Sequence, residues 1–291
     1  MKASRVAFPG VSGAFAEEGA RALWPRAAYV SFRTVVDVTR AVSRGEADAG
    51  ILPVENSVAG GVTAAYDALH EADDLHAVGE VILAVRQCLL AVPGTRVEDV
   101  RVVSSHPVAL AQCSRFLSRL NDVEEHVASD TASAARAVAE QGTRTHAAIG
   151  SRFAAERYGL EVIAERVENR ADNQTRFLGV ARHAAVVEPG VPSRTSVVFE
   201  TANVPGALLR VLEPIAAGGL NLSKLESRPT GEPWSYRFFA DIDHEAHEAI
   251  LAGVLDAIRA AARSCRVLGT YARHSAASRV VRPVGAASAP A

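Results

Sequence analysis

The chain has 291 residues, of which 48% are apolar and 22% charged, a composition typical of globular proteins in water. Its 31 basic and 33 acidic residues nearly cancel, so no broad charge field would attract nucleic acid or an anionic membrane. Any anionic ligand must therefore be bound by local groups. The length exceeds what one ordinary domain needs and predicts two, each with its own core.

The sequence carries no recognisable targeting pattern. No apolar run follows the basic residues of the N-terminus, as it would in a signal peptide, and the longest apolar stretches are far shorter than a membrane span. Cys88, Cys113 and Cys265 are far apart and lack the spacing of a metal site or a disulfide framework. We therefore expect a cytoplasmic protein with buried thiols and no membrane partner.

Residues 1–185 alternate short β-branched runs with amphipathic helical stretches, which predicts an α/β domain with a largely parallel sheet. Helical spacing predicts one helix at 34–44, ended by Gly45, and another at 131–140, for which Asp130 is a suitable N-cap. The predicted strands are residues 5–8, 49–54, 82–92, 102–104, 147–149 and 176–180.

The pattern changes after residue 185. Residues 186–193 contain two prolines and a glycine and predict a linker. Residues 194–273 then read strand, helix, strand, strand, helix, strand. This is the ferredoxin-like βαββαβ order, in which two helices cover one face of a four-stranded sheet. Residues 274–291 are small, polar and proline-containing, and we expect them to be disordered.

Two segments of the first domain place polar residues where a ligand would bind. Glu55, Asn56 and Ser57 end an apolar strand, and ligands of open α/β sheets sit at the carboxyl ends of strands. Ser105 is a candidate helix N-cap, and a helix N-terminus can hold a carboxylate. Gln112 is two turns further along the same face, about 10 Å away, so only a long ligand would touch both. The structural alternatives are an Asx-type turn and a simple cap.

The stretch ADNQTRFLGV at residues 171–180 runs from four polar side chains directly into a strand. Adjacent strand residues point to opposite faces, so at most one of Thr175 and Arg176 faces a substrate. The alternative is a strand with an exposed charge.

Other chemical motifs are missing from the sequence. No activated nucleophile or phosphate loop is present, so we expect no cofactor. His244 and His247 are three residues apart with no third ligand nearby, so we expect two solvated histidines and no metal.

Seven motifs together give the chain a family resemblance over about residues 5–273. The sequence resembles prephenate dehydratases that carry a C-terminal ACT domain. The motifs are GVSGAFAE, LPVENS, SHPVALAQC, AAIGSRFAAERYGL, NQTRF, GALL (206–209) and ESRP (226–229).

The resemblance implies a two-lobed catalytic domain like periplasmic binding proteins, with the chain crossing between lobes near 80–90 and 165–175. It implies conversion of prephenate to phenylpyruvate without a cofactor, with Asn56 and Thr175 on one side of the cleft and Ser105 and Gln112 on the other. Thr175 would supply the essential hydroxyl. The implied catalytic residues are Thr175, Asn56, Ser105 and Gln112, and the expected substrate-binding residues are Glu55, Ser57, Arg176 and Phe177.

The resemblance also implies feedback inhibition by phenylalanine bound between paired ACT domains, in a homodimer or homotetramer. The expected regulatory residues are Gly206, Ala207, Leu208, Leu209, Glu226, Ser227, Arg228 and Pro229. Two alternatives stay open. Val108 and the pair Ala14–Phe15 depart from the commoner family pattern, which bears on a preference for prephenate or for arogenate, its amine counterpart. A non-catalytic amino-acid sensor is the alternative of a different class.

Overall fold

The computed structural model describes residues 3–245 and 248–274 of the chain. His247 and all of the predicted tail except His274 lie outside the described residues. None of the helices within these ranges is long and apolar enough to cross a membrane.

The strands and helices of the first unit end at residue 181, and a second, smaller unit follows. In chain order, the strands are β1 Arg5–Pro9, β2 Ala28–Phe32, β3 Ala49–Asn56, β4 Gly60–Gly61, β5 His76–Ala84, β6 Cys88–Ala91, β7 Val102–Ser105, β8 Glu124–Val127, β9 His146–Gly150, β10 Glu161–Ala164, β11 Gln174–Ala181, β12 Pro192–Glu200, β13 Asn221–Pro229, β14 Tyr236–Glu245 and β15 Ser264–Ala272. The helices are α1 Phe15–Leu23, α2 Val35–Ser43, α3 Thr63–Glu71, α4 Pro107–Gln112, α5 Ser114–Leu117, α6 Thr131–Gln141, α7 Arg152–Tyr158, α8 Ala207–Ala217 and α9 Glu248–Ala261.

The first unit consists of two lobes, each built on its own sheet. Lobe 1 has the strand order β2-β1-β3-β11-β5, and lobe 2 has the order β10-β6-β9-β7-β8. The chain passes from lobe 1 to lobe 2 between β5 and β6 and returns between β10 and β11. The single strand predicted at 82–92 is therefore wrong, because its two ends belong to different sheets. The polar pair Arg86 and Gln87 interrupts the apolar run where the chain changes sheet, and the predicted strand continued through it.

The expectation of a largely parallel sheet is only partly confirmed. β1 is parallel to β2 and β3, and β7 is parallel to β8 and β9. In contrast, β11 is antiparallel to β3 and β5, and β6 is antiparallel to β9 and β10. The antiparallel pairs involve strands next to the crossings, which the chain enters from the other lobe.

Both helices predicted at 34–44 and 131–140 are confirmed as α2 and α6. Thr34 and Asp37 cap α2 reciprocally, with each side chain accepting a hydrogen bond from the other's backbone N–H at 3.1 Å. The carboxylate of Asp130 accepts from the backbone N–H of Ser133 at 2.8 Å and caps α6. These signals are readable from sequence because every partner is within four residues.

The second unit has the predicted βαββαβ order and a sheet of order β13-β14-β12-β15. One face of this sheet packs under α8 and α9, with Val197, Phe199 and Ile242 in the core. Its first strand begins at Pro192, inside the segment predicted as a linker, so residues 182–191 are the part without helix or strand.

The other face of the second sheet packs on lobe 1. Val198 and Phe239 join one apolar cluster with residues of α3, and the rings of Tyr66 and Phe239 lie 4.9 Å apart. A Cβ added at Gly269 would lie 2.1 Å from the carbonyl oxygen of Ala77, so β15 approaches β5 this closely only with glycine there.

Six charged side chains meet at the same interface, three positive and three negative. They are Arg176, Arg194, Arg273, Glu80, Asp241 and Asp243. Glu80 is fully buried, and its Oε2 lies 2.7 Å from both Arg176 Nε and Arg194 Nη1. The charges balance, and two of the ion pairs, Arg176–Asp241 and Arg194–Glu80, join the two units, so each of these four buried charges is compensated from across the interface.

Candidate active site

A cleft of about 830 Å³ lies between the two lobes. Its walls include the carboxyl ends of β1, β2 and β3 in lobe 1 and the segments after β7 and β8 in lobe 2, where α/β sheets bind their ligands. Among the predicted catalytic and substrate-binding residues, those lining the cleft are Asn56, Gln112, Thr175 and Phe177.

Thr175 and Asn56 are cross-strand neighbours on β11 and β3, and their side chains are hydrogen-bonded. Asn56 Nδ2 donates to Thr175 Oγ1 at 2.9 Å. The orientation of the amide follows from its other end, because Asn56 Oδ1 accepts from the backbone N–H groups of Val58 and Ala59 at 3.0 and 2.9 Å. The Thr175 oxygen is therefore the acceptor in this pair. Its own hydrogen remains available to donate to a ligand in the cleft.

Asn173 connects this pair to the opposite lobe. Its side chain is only 1% exposed, and its Oδ1 accepts from Asn56 Nδ2 at 2.8 Å. Its Nδ2 donates to Gln112 Oε1 at 3.0 Å, so a continuous chain of hydrogen bonds runs from Thr175 across the cleft floor to α4. The sequence prediction missed Asn173. Its polarity was visible beside Thr175, but its contact with Gln112 joins residues that are 61 positions apart.

Ser105 occupies a different place from the one predicted. The N-cap of α4 is His106, whose Nδ1 accepts from the backbone N–H of Val108, so the prediction of Ser105 as the cap is wrong. Ser105 is fully buried at the end of β7, and its hydroxyl donates to the carbonyl oxygen of Ile149 at 2.7 Å. The strand extends one residue further than the sequence indicated and uses this hydroxyl to tie β7 to β9.

Arg176 and Glu55 face away from the cleft, contrary to the substrate-binding prediction. Arg176 is 8% exposed and is bound by Glu80, Asp241 and the hydroxyl of Tyr271. Glu55 lies 3.1 Å from Lys224 Nζ in the second unit. Strand alternation turns both side chains toward the face that the second unit covers. Of these two neighbours on β11, Thr175 lines the cleft and Arg176 does not.

Ser57 and Phe177 have structural contacts. The Ser57 hydroxyl accepts from the backbone N–H of Gln174 at 2.9 Å and donates to the carbonyl of Asp172 at 3.3 Å, which fastens the chain just before β11. Phe177 is 2% exposed, packs in the core beneath α1, and presents part of its ring to the cleft.

The cleft also contains polar groups that the sequence did not single out. Arg33 from lobe 1 and Arg136 from lobe 2 line it from opposite sides, and Asp130 is the carboxylate in the lining. Gln87, in the crossing between β5 and β6, is 2% exposed, and its Oε1 has no hydrogen-bond partner among the described residues. Arg33 and Gln87 lie in loops and Arg136 lies within α6, and none of them belongs to a recognised motif, so only the folded structure shows that they line one cleft.

A second contact joins the lobes beside the cleft. Arg157 Nε donates to Ser12 Oγ at 2.8 Å, and the hydroxyl of Tyr158 donates to the carbonyl oxygen of Ser12. Gly13 has a φ of +91°, and a Cβ there would lie 3.3 Å from Ala154 Cα, so glycine suits both the backbone conformation and the close approach.

The pKa of Glu18, on α1 near this contact, is raised from 4.5 to about 7 by burial and by the carboxylate of Glu156 on α7. A raised pKa means that the folded protein keeps a proton that the unfolded chain releases, so this group's contribution to stability falls as pH rises from 4.5 to about 7. Glu18→Gln should increase the free energy of unfolding at pH 8 by up to about 3 kcal/mol and change it little at pH 4.

The measurement for Glu18 is urea unfolding of wild type and variant at both pH values. Glu46→Gln, at an exposed position, serves as the control and should show no pH-dependent difference. An equal effect of Glu18→Gln at pH 4 and pH 8 would contradict the assignment.

The predicted regulatory residues are divided between two faces of the second sheet. Glu226 lies 3.1 Å from Lys224, and Arg228 donates to Asp67 of α3 at 2.8 Å, so both face the catalytic lobe within this chain. Alternation along β13 places Ser227 and Pro229 on the opposite face. The GALL residues Gly206, Ala207, Leu208 and Leu209 begin α8, and Leu209 is 67% exposed.

The prediction that His244 is solvated is wrong. The residue is 8% exposed and its Nε2 lies 2.8 Å from Thr195 Oγ1. It lies in β14, where it pairs with Ser193 of β12.

Two lobes around a polar cleft, followed by a ferredoxin-like unit docked on one lobe, define a class of two-domain α/β proteins that bind a small molecule between lobes. Residues 6–185 match the family described as prephenate dehydratase, and residues 195–263 match the ACT domain. The chain belongs to the prephenate dehydratase family, as its motifs predicted.

Named relatives come from bacteria and plants. The chain is 38% identical to a prephenate dehydratase of Amycolatopsis methanolica, covering 96% of this chain and 92% of the relative. It is also 38% identical to arogenate dehydratase/prephenate dehydratase 2, chloroplastic, of Arabidopsis thaliana, covering 92% and 72%.

Two solved structures have similar folds over nearly the whole chain. The prephenate dehydratase of Arthrobacter aurescens in complex with L-Phe superposes with a TM-score of 0.86 at 33% identity, covering 94% of this chain and 91% of the other. GqqA, described as a novel type of quorum quenching acylase, superposes with a TM-score of 0.85 at 34% identity, covering 94% and 100%.

Proposed function

We propose that this protein converts prephenate to phenylpyruvate, carbon dioxide and water, the step of phenylalanine biosynthesis in which the ring becomes aromatic. The observation that carries the proposal is the Asn56–Thr175 hydrogen bond at 2.9 Å inside the cleft, which leaves the threonine hydrogen available to the substrate. Family membership and this constellation favour an enzyme over a non-catalytic amino-acid sensor.

The reaction requires little from the protein beyond one donor in the correct position. The bond between the ring and its carboxylate breaks, the electron pair enters the ring, and the C4–oxygen bond breaks as the ring becomes aromatic. Hydroxide leaves poorly, so a hydrogen donated by Thr175 assists its departure as water. A proton from solvent returns to the threonine oxygen, which balances the reaction. Because aromatisation supplies the driving force, a weak acid held in position is sufficient.

The substrate is a dianion, and the cleft has local groups to hold it. Arg33 and Arg136 line opposite lobes, so each can take one carboxylate when the lobes close on the ligand. The apolar wall formed by Phe15, Val85 and Phe177 surrounds the remaining space. A ring carboxylate against this drier wall is destabilised relative to neutral carbon dioxide, which favours its loss.

The test is direct incubation of the purified protein with prephenate. Phenylpyruvate should accumulate at a rate above the spontaneous reaction and is measured by its absorbance in alkali. Thr175→Val protein, prepared in parallel, controls for contaminating dehydratase. Wild-type protein that does not exceed the spontaneous rate would contradict the proposed function.

Arogenate is the second candidate substrate, and the positions of the unusual residues favour testing it. Ala14, Phe15 and Val108, which depart from the commoner family pattern, all line the cleft. Arogenate differs from prephenate only by an ammonium group in place of the keto oxygen. Comparison of kcat/KM for the two substrates decides between them, and we expect prephenate to be preferred by at least about tenfold, the discrimination that one polar group typically gives.

The quorum quenching acylase activity named for GqqA is less compatible with this cleft. Amide hydrolysis by a side-chain nucleophile requires a hydroxyl or thiol paired with a base. Within the described cleft lining, His106 contacts the backbone N–H of Val108, and no serine or cysteine is hydrogen-bonded to it.

Phenylalanine is the proposed effector, bound at the second unit between two copies of the chain. Three features of this unit support the proposal. β13 is an edge strand, Leu225 on β13 and Leu209 on α8 are exposed, and the structure of the Arthrobacter aurescens relative is a complex with L-Phe. Calorimetry should detect phenylalanine binding, and the same concentrations should slow prephenate turnover. Binding without any change in turnover would contradict the regulatory role.

A further inference from the structure

Arg176 directly follows Thr175 on β11 and is held mainly by the second unit. Its Nη2 donates to the hydroxyl of Tyr271 at 2.8 Å, and its Nη1 donates to Asp241. Its Nε donates to Glu80 of the neighbouring strand β5 at 2.7 Å. All three guanidinium nitrogens are thus engaged, two of them by residues of the second unit.

The groups that hold Arg176 are themselves fixed. Ser196 donates to Asp241 Oδ1 at 2.5 Å, and its hydroxyl lies 2.8 Å from that of Tyr271. These three residues, here called the arginine socket, come from β12, β14 and β15 of the second sheet. Ser196, Asp241 and Tyr271 are each at most 5% exposed, so the socket is a rigid, buried feature of that sheet.

The contacts of Arg176 with the arginine socket have their greatest effect on the backbone orientation of β11 between Thr175 and Phe177. The register of β11 against β3 shifts between Arg176 and Phe177, one residue after the proposed catalytic residue, whereas the pairing with β5 stays regular there. At such an irregularity, strand orientation depends more on side-chain anchors. Arg176 and Thr175 point to opposite faces of one strand, so the anchor on one face sets the direction of the hydroxyl on the other.

We propose that Asp241 is a positioning residue for the reaction: through Arg176 it holds β11 so that the Thr175 hydroxyl points into the cleft and stays bonded to Asn56. The second unit is then a structural part of the active site in addition to any regulatory role. The inference rests on the proposed function, since the hydroxyl matters only if the cleft performs the dehydration.

The test is a double-mutant cycle on the full chain with prephenate as substrate. Asp241→Asn keeps the shape of the side chain and removes its charge. We expect kcat to fall about tenfold with KM changed less than twofold, because a small misplacement of a catalytic group affects mainly the chemical step. In a Thr175→Val background, the same substitution should have no further effect on kcat.

Three matched measurements separate positioning from general damage. Asp67→Asn weakens a different ion pair between the units, that of Asp67 on α3 with Arg228; α3 contributes no residue to the cleft, so kcat should stay within twofold. Tyr271→Phe removes only the hydroxyl of the socket and should lower kcat in the same direction as Asp241→Asn. Active sites are counted by binding of a saturated-ring analogue of prephenate, which cannot aromatise.

Wild-type protein without turnover would overturn the proposed function and this inference together. If wild type is active, the inference alone is overturned when Asp241→Asn leaves kcat unchanged. It is also overturned when Asp67→Asn causes the same loss, or when Asp241→Asn lowers kcat equally in the Thr175→Val background.

Discussion

Thr175→Val should lower kcat for prephenate by about a hundredfold to a thousandfold with little change in KM, because positioned proton donors contribute rate factors of this size. Valine has nearly the shape of threonine and lacks only the donor. The substitution leaves Asn56 Nδ2 with two other acceptors, Asn173 Oδ1 at 2.8 Å and the carbonyl of Gln174 at 3.1 Å, so no buried polar group loses its last partner. The fold and the network to Gln112 should remain intact.

Steady-state kinetics on Thr175→Ser provides the control for this result. Serine keeps the hydroxyl that accepts from Asn56, and its kcat should stay within about tenfold of wild type, well above that of the valine variant. A folded valine variant with wild-type turnover would remove Thr175 from the chemistry.

Glu80→Ala should produce the largest loss of stability, about 3–5 kcal/mol, the usual cost of removing one partner from a buried ion pair. The Glu80 side chain is fully buried and serves both Arg176 and Arg194, and it also accepts from the backbone N–H of His274 at 2.9 Å. Its removal leaves two guanidinium groups without that carboxylate in an interior from which water is excluded.

The loss is measured by urea unfolding of wild type and variant at pH 7. Asp67→Asn, which breaks an ion pair whose carboxylate side chain is 42% exposed, should cost at most about 1 kcal/mol. Equal effects of the two substitutions would contradict the argument that burial sets the cost.

For Arg176, the sequence predicts which face of the strand it shares but not which residues it contacts. Strand alternation predicts that Thr175 and Arg176 point to opposite faces of β11, so that only one of them lines the cleft. This could be read from the sequence because the rule depends only on neighbouring residues. The sequence also suggested a substrate cation at Arg176, which the structure contradicts. Its partners Glu80, Asp241 and Tyr271 are 96, 65 and 95 positions away, and no local sequence pattern predicts these contacts.

The sequence by itself determined the α/β class, the βαββαβ order of the second unit, the capped helices and the family. Each depends on contacts within a few residues or on motifs that can be read in order. The tertiary structure alone decided which polar residues share the cleft. It placed Gln87, Arg33 and Arg136 in the cleft lining and joined Asn173 to that lining through Asn56 and Gln112. It also buried Ser105 in a strand and turned Glu55 and Arg176 toward the second unit. The physical reason is that the two faces of a strand look alike in sequence until a distant part of the chain covers one of them.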